Sequence, residues 1–119
     1  MSRRDPERVS VSSSEARIDD RRAVVVQLGG DHWELNVWLL ESEVGQLPGV
    51  REARWDDRSS LTLGISAGVP VHWTCDGGGL SILVGQDDES WQFGATVPEE
   101  QLDEICVAAV KALGRAGET

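Results

Sequence analysis

The chain has 119 residues, the length of one compact domain and well short of two. Hydrophobic residues make up 39% and charged residues 27%, which excludes a wholly disordered chain and a membrane-spanning one. Against 21 Asp and Glu stand 11 Lys and Arg, a formal net charge of −10, so phosphate backbones repel the protein and nucleic acid is not an expected partner.

Residues 1–22 carry six arginines (Arg3, Arg4, Arg8, Arg17, Arg21, Arg22) against Asp5, Glu7, Glu15, Asp19 and Asp20, summing to +1. Residues 23–119 carry 5 basic and 16 acidic residues, or −11. Ser12, Ser13 and Ser14 interrupt the mixed charges, and the sparse apolar residues keep no period. The segment 1–22 therefore reads as a flexible N-terminal arm with at most a short strand at residues 9–11. It is either a frayed terminus or an Arg-bearing arm that folds back on the acidic body. Residues 23–119 read as a single domain. The charged start lacks the apolar run of a secretory signal, and Cys75 and Cys106 are too few for a disulfide framework. Two reduced thiols in a cytoplasmic protein are the expectation.

From Ala23 the pattern turns to period two, the mark of half-buried strands. Residues 23–28 form a β-branched run, Gly29-Gly30-Asp31 supplies a turn, and Trp33, Leu35, Val37 and Leu39 alternate with Glu34, Asn36 and Trp38. That is a hairpin. Residues 41–47 predict one helical turn ended by Pro48-Gly49, and residues 50–55 a further strand turning at Asp56-Asp57. Leu61, Leu63, Ile65 and Ala67 alternate with Thr62, Gly64 and Ser66; Val71, Trp73 and Cys75 resume the alternation after Gly68. Asp76-Gly77-Gly78-Gly79 makes a second hairpin turn into Leu80, Ile82 and Val84. A polar loop, residues 86–90, leads to Trp91, Phe93, Ala95 and Val97. The segment that follows is helical: Leu102, Ile105, Cys106, Ala109, Val110 and Leu113 form one apolar stripe. Pro98 fits its first turn, Thr96 with Glu99 fits a capping box, and Gly114 a stop. The expected fold is α+β: a twisted antiparallel meander of six or seven strands with one face packed by a C-terminal helix.

No catalytic or metal-binding constellation emerges. His72 and Cys75 are three apart on a strand and point to opposite faces. His32 stands alone beside a turn. The run Asp87-Asp88-Glu89 lacks the spacing of a calcium loop, and the triple glycine precedes a strand where a phosphate cradle needs a helix. There is no G-x-S-x-G elbow and no nearby Cys/His pair. The expectation is a protein without cofactor or metal that is not an enzyme; catalysis through His72 is the least favoured reading.

The tryptophans are the informative residues. Trp33, Trp73 and Trp91 share register with the apolar positions and are expected in the core. Trp38 is out of register and points with Glu34 and Asn36 away from the helix-covered face, where His72, Thr74, Leu83 and Gln92 can join it. Trp55 sits at a rim beside the Asp-Asp turn. Trp38 is either covered by the arm or the 41–49 turn, or it anchors a binding surface, or it floors a small-ligand pocket.

The overall layout, an acidic Trp-bearing meander closed by the helix that opens at Val97-Pro98-Glu99-Glu100-Gln101-Leu102, resembles small immunity-type domains of bacterial toxin systems and uncharacterised actinobacterial domains. The resemblance implies no functional residue. The leading expectation is a non-catalytic, immunity-like or adaptor protein that binds a basic protein. Glu34, Glu41, Glu43, Asp87, Asp88 and Glu89 would steer the approach, with Trp38 or Trp55 as anchor and Asn36 and His72 beside them. The alternative is a small-molecule binding or sensing domain, with Trp38, His72 and Asn36 flooring a cup on the helix-free face. Monomer and homodimer both fit, the latter by continuation of an edge strand.

Overall fold

Alternating runs joined by very short turns have one simple outcome, which is for each strand to pair with the next. In the computed structural model, which describes residues 8–87 and 90–117, seven strands form one antiparallel sheet in sequence order. They are β1 (Ser10–Ile18), β2 (Arg21–Gly29), β3 (Glu34–Leu40), β4 (Leu61–Ser66), β5 (Val69–Asp76), β6 (Gly79–Gly85) and β7 (Trp91–Pro98). Helix α1 (Glu41–Val44) and two 3-10 turns, Leu47–Glu52 and Trp55–Asp57, fill the β3–β4 connection, and α2 (Gln101–Gly117) closes the fold. The expected α+β meander with its packed C-terminal helix is the observed architecture.

Three of the hairpins turn on two residues in the left-handed region: Asp19 and Asp20 at φ 50° and 67°, Ala67 and Gly68 at 52° and 80°, Gly77 and Gly78 at 57° and 87°. That geometry matches the twist of the flanking strands. On one face lie Val24, Val26 and Leu28 of β2, Leu35, Val37 and Leu39 of β3, and Trp73, Leu80, Ile82 and Val97, all buried. Leu102, Ile105, Ala109 and Ala112 of α2 pack onto them, joined by Leu47 and Val50 of the first 3-10 turn. The sheet is strongly curled. Trp33, just before β3, meets Phe93 of β7 at 5.7 Å between ring centroids, whereas four strand spacings in a flat sheet span about 19 Å.

Residues 10–18, expected in a flexible arm, instead form the nine-residue edge strand β1, in full register with β2 from Ser10↔Gly29 to Ile18↔Arg21. The physical reason lies in α2. The buried amide of Gln101 accepts from the Val9 N–H and donates to the Val9 carbonyl, both at 2.9 Å, as a neighbouring strand would. The Ser13 hydroxyl donates to the Ala108 carbonyl at 2.6 Å, and Arg8 pairs with Glu100 and Glu104. Residues 1–7 of the expected arm lie outside the described residues.

Other expectations are corrected. Residues 50–55 do not form a strand: Pro48 and Gly49 open the 3-10 turn, and only Arg54 makes a single parallel bridge, to Cys75. Thr96 and Glu99 do not cap α2, because β7 runs through Pro98 and the Glu99 carboxylate takes the Arg54 guanidinium in a two-bond pair at 2.8 and 3.3 Å. Trp91 is 50% exposed and Val110 58%, not core. Ile65 leaves the inner face because a bulge between Thr62 and Ile65 advances the register by one.

That bulge sits at the β3–β4 junction, where Trp38↔Ile65 is the only aligned pair. Gly64 lies there at φ +84°, so close to β3 that a Cβ would stand 2.8 Å from the Trp38 carbonyl oxygen. The half-buried Glu43 of α1 spans the junction: its carboxylate accepts from the Leu40 N–H and from the Gly64 N–H, each at 2.9 Å. Glu43→Ala should therefore lower the unfolding free energy by about 2–3 kcal/mol, since it orphans two backbone donors. Glu41→Ala loses an exposed ion pair with Arg22 and should cost less than about 1 kcal/mol. Urea midpoints measure both; equal, small losses would contradict the assignment.

Candidate binding site on the helix-free face

The inner face is closed by α2 and residues 41–60, which leaves the opposite face to carry any site. In β3, Glu34, Asn36 and Trp38 are exposed on that face while Leu35, Val37 and Leu39 are buried, as the alternation predicts. Pairing sets their neighbours. Trp38 lies opposite Val25, and Val25 opposite Ser14; Asn36 lies opposite Gln27, and Gln27 opposite Ser12. Together Ser12, Ser13, Ser14, Val25, Gln27, Asn36 and Trp38 line a depression of about 400 Å³. On its other side Trp38, 37% exposed, pairs with Ile65, 36% exposed. The described part of the expected arm, β1, thus neither covers Trp38 nor fills the cup; it forms one wall.

Hydrogen bonds orient the polar wall. The Ser12 hydroxyl donates to Gln27 Oε1 at 3.3 Å, and Gln27 Nε2 donates to Glu34. The Asn36 amide, the Ser14 hydroxyl and Trp38 Nε1 have no side-chain hydrogen bond among the described residues. A twisted sheet is saddle-shaped, so a face that is convex overall is concave along one diagonal.

Of the described candidates for a partner site, only Asn36 and Trp38 line the depression, with Glu34 bound to its rim. His72 does lie on the helix-free side, opposite Thr62 and Leu83, but it is 5% exposed. Its Nδ1 is 2.9 Å from Thr62 Oγ1 and its Nε2 is 3.0 Å from the Gly85 carbonyl oxygen. In the neutral ring Nε2–H donates to Gly85 and Nδ1 accepts from Thr62. His72 is thus a satisfied structural histidine that locks β4, β5 and the end of β6 together, and it takes no part in the cup floor.

Trp55 is half-buried in the second 3-10 turn, with the Arg58 guanidinium 4.9 Å from its ring centre. Asp87 accepts the Ser90 N–H at 2.7 Å; Asp88 and Glu89 lie outside the described residues. Glu43 is the junction clamp and Glu41 pairs with Arg22, so neither is a free steering charge. The wall residues Ser12, Ser14, Val25 and Gln27 escape sequence reading because the serines look like linker and the run Val24-Val25-Val26 hides its alternation.

The remaining reactive groups are structural. Among the described residues no three His, Cys, Asp or Glu side chains are placed to hold a metal ion, and no helix is long and apolar enough to cross a membrane. Cys75 is buried and Cys106 half-buried, both free thiols. Burial pushes both above the ordinary 9.0, with Glu99 adding to Cys75 and Asp103 to Cys106. Asp103 and Glu99 in turn raise Arg51 and Arg54.

The fold and face define a seven-stranded antiparallel α+β domain with an open depression on its helix-free side, whose described lining carries no charged side chain and whose rim carries Glu34. No family model, no curated protein and no solved structure matches the chain.

The raised thiols give a checkable sign. The unfolded chain releases thiol protons near 9.0 and the folded chain only at higher pH, so this contribution is fully present below 9.0 and stability falls as pH rises beyond it. At pH 8, Cys106 should react with a disulfide reagent more slowly than free cysteine, and Cys75 only on unfolding. Two thiols reacting at the free rate would contradict the burial described.

Proposed function

We propose that the protein is a non-catalytic binding domain that holds a small molecule in the depression around Trp38. The observation that supports this reading is the depression itself: about 400 Å³, with an open indole on its floor and hydroxyl and amide groups on its wall. That volume falls within the range of small-ligand sites. The enzyme reading through His72 draws no support, because both ring nitrogens are engaged within the sheet. A cytoplasmic setting is part of the proposal and rests on two unpaired thiols.

A basic protein partner is the second reading. It is favoured by the net charge of −10 and by the adjacent exposure of Trp38 and Ile65, an aromatic–aliphatic pair that suits a contact surface. Of its expected steering carboxylates Glu41 is paired with Arg22, while Glu34, Glu43 and Asp87 keep their charge but are held by neutral donors within the fold.

Titrating the labelled full chain with neutral, cationic and anionic small molecules, and separately with a lysine-rich peptide, decides between them. The proposal expects saturable shifts of the Trp38 indole N–H and the Asn36 amide with a small molecule, lost in Trp38→Ala. Shifts at that face from the peptide alone, erased by salt, favour the protein partner. A face silent to every probe overturns both.

A further inference from the structure

The lining of the depression discriminates between classes of small molecule. Ser12, Ser14, Gln27 and Asn36 present hydroxyls and amides, Val25 a methyl surface, and Trp38 an indole; among the described residues no side chain of the lining is charged. An anion finds no Lys or Arg in the described lining and meets a chain of net charge −10. A cation finds no carboxylate in the described lining, only Glu34 at the rim and already bonded to Gln27, and one ring in place of an aromatic cage. A largely apolar ligand would cover only Val25 and Trp38 and would leave the hydroxyls and amides desolvated without partners.

Resting on the small-molecule reading above, we propose that this face binds a neutral carbohydrate, with a sugar ring stacked on Trp38 and its hydroxyls bonded to the surrounding wall. The indole face is electron-rich and attracts the weakly positive C–H face of a sugar ring. The groups around it have unused capacity: Trp38 Nε1–H, both ends of the Asn36 amide, the Ser14 hydroxyl, and the second amide proton of Gln27. Their spacing suits a ring of hydroxyls. Asn36 is two residues from Trp38, about 7 Å along the strand, and Val25 with Ser14 lie one and two strands away at about 5 Å per strand. Ser12–Gln27–Glu34 bonding fixes part of the wall before a ligand arrives, which reduces the ordering cost of binding. The platform is open above, and a sugar tolerates that because its outward hydroxyls stay in water.

The test is a titration of the full-length labelled protein with neutral oligosaccharides of different linkage, maltohexaose, cellohexaose and chitohexaose, read at the Trp38 indole N–H and the side-chain amides of Asn36 and Gln27. At least one glycan should shift all three signals saturably. Asn36→Ala, at an exposed position with no side-chain partner among the described residues, should keep the fold and weaken binding about tenfold. Trp38→Ala should abolish binding; because Trp38 also pairs with Ile65 at the β3–β4 junction, the dispersion of its amide spectrum is checked alongside, and Trp38→Phe should retain measurable affinity. No shift with any of the glycans, while a charged small molecule or the lysine-rich peptide moves the same signals, overturns the carbohydrate assignment and leaves the binding face standing. Shifts confined to residues away from Trp38, or unchanged by Asn36→Ala, also overturn it.

Discussion

A meander is only as continuous as its weakest junction, and here that junction lies between β3 and β4. Three of the other strand pairs are joined by two-residue turns that set their own register, whereas β3 and β4 are separated by residues 41–60 and share one aligned pair. Two devices replace the missing turn. Gly64 lets the β4 backbone press against Trp38, Leu39 and Val37, and the Glu43 carboxylate ties the end of β3 to the bulge through two backbone N–H groups. On the far side of the bulge, the Trp73 indole N–H of β5 donates to the Leu63 carbonyl of β4 at 2.9 Å and holds that strand in turn. A charged acceptor shared by two backbone donors is among the stronger bonds available to a fold of this size.

The rest of the architecture follows from that join. With β3 and β4 held in register, the sheet runs unbroken from β1 to β7 and curls until Trp33 meets Phe93. The concave side is filled by α2 and the 3-10 turn at Leu47–Glu52, anchored by Arg54–Glu99 and by Gln101 on Val9. Among the described residues no element covers the convex side over β1, β2 and β3, and Trp38 is 37% exposed there. The bulge has a second consequence: it turns Ile65 onto the same face, beside Trp38. One local irregularity both joins the sheet and shapes the surface proposed to bind.

Much of this is legible in the residues. Period-two patterning and glycine turns mark β2, β3, β5, β6 and β7, and the stripe Leu102, Ile105, Ala109 marks α2. The parity of Trp38 against Leu35, Val37 and Leu39 is enough to place it outside the core. What is not legible depends on partners far along the chain. β1 looks like linker because its serines are satisfied by α2 and β2, through Ser13 to Ala108 and Ser12 to Gln27. Thr96 and Glu99 look like a helix cap until Arg54, 45 residues earlier, claims the carboxylate. His72 looks available on an outer face because its sequence neighbours say nothing of Thr62 and the Gly85 carbonyl. A single bulge at Gly64 is enough to reverse the side on which Ile65 lies.

The measurement that bears most directly on this account is amide hydrogen exchange at Gly64. It lies next to a long connection and a register shift, where a backbone N–H would ordinarily exchange quickly. If Glu43 clamps the junction as described, the Gly64 and Leu40 amides exchange as slowly as those in the centre of β5, and Glu43→Ala speeds both without affecting the β5–β6 hairpin. Loop-like exchange at Gly64 in the unmodified protein would contradict the clamp and with it the continuity of the sheet.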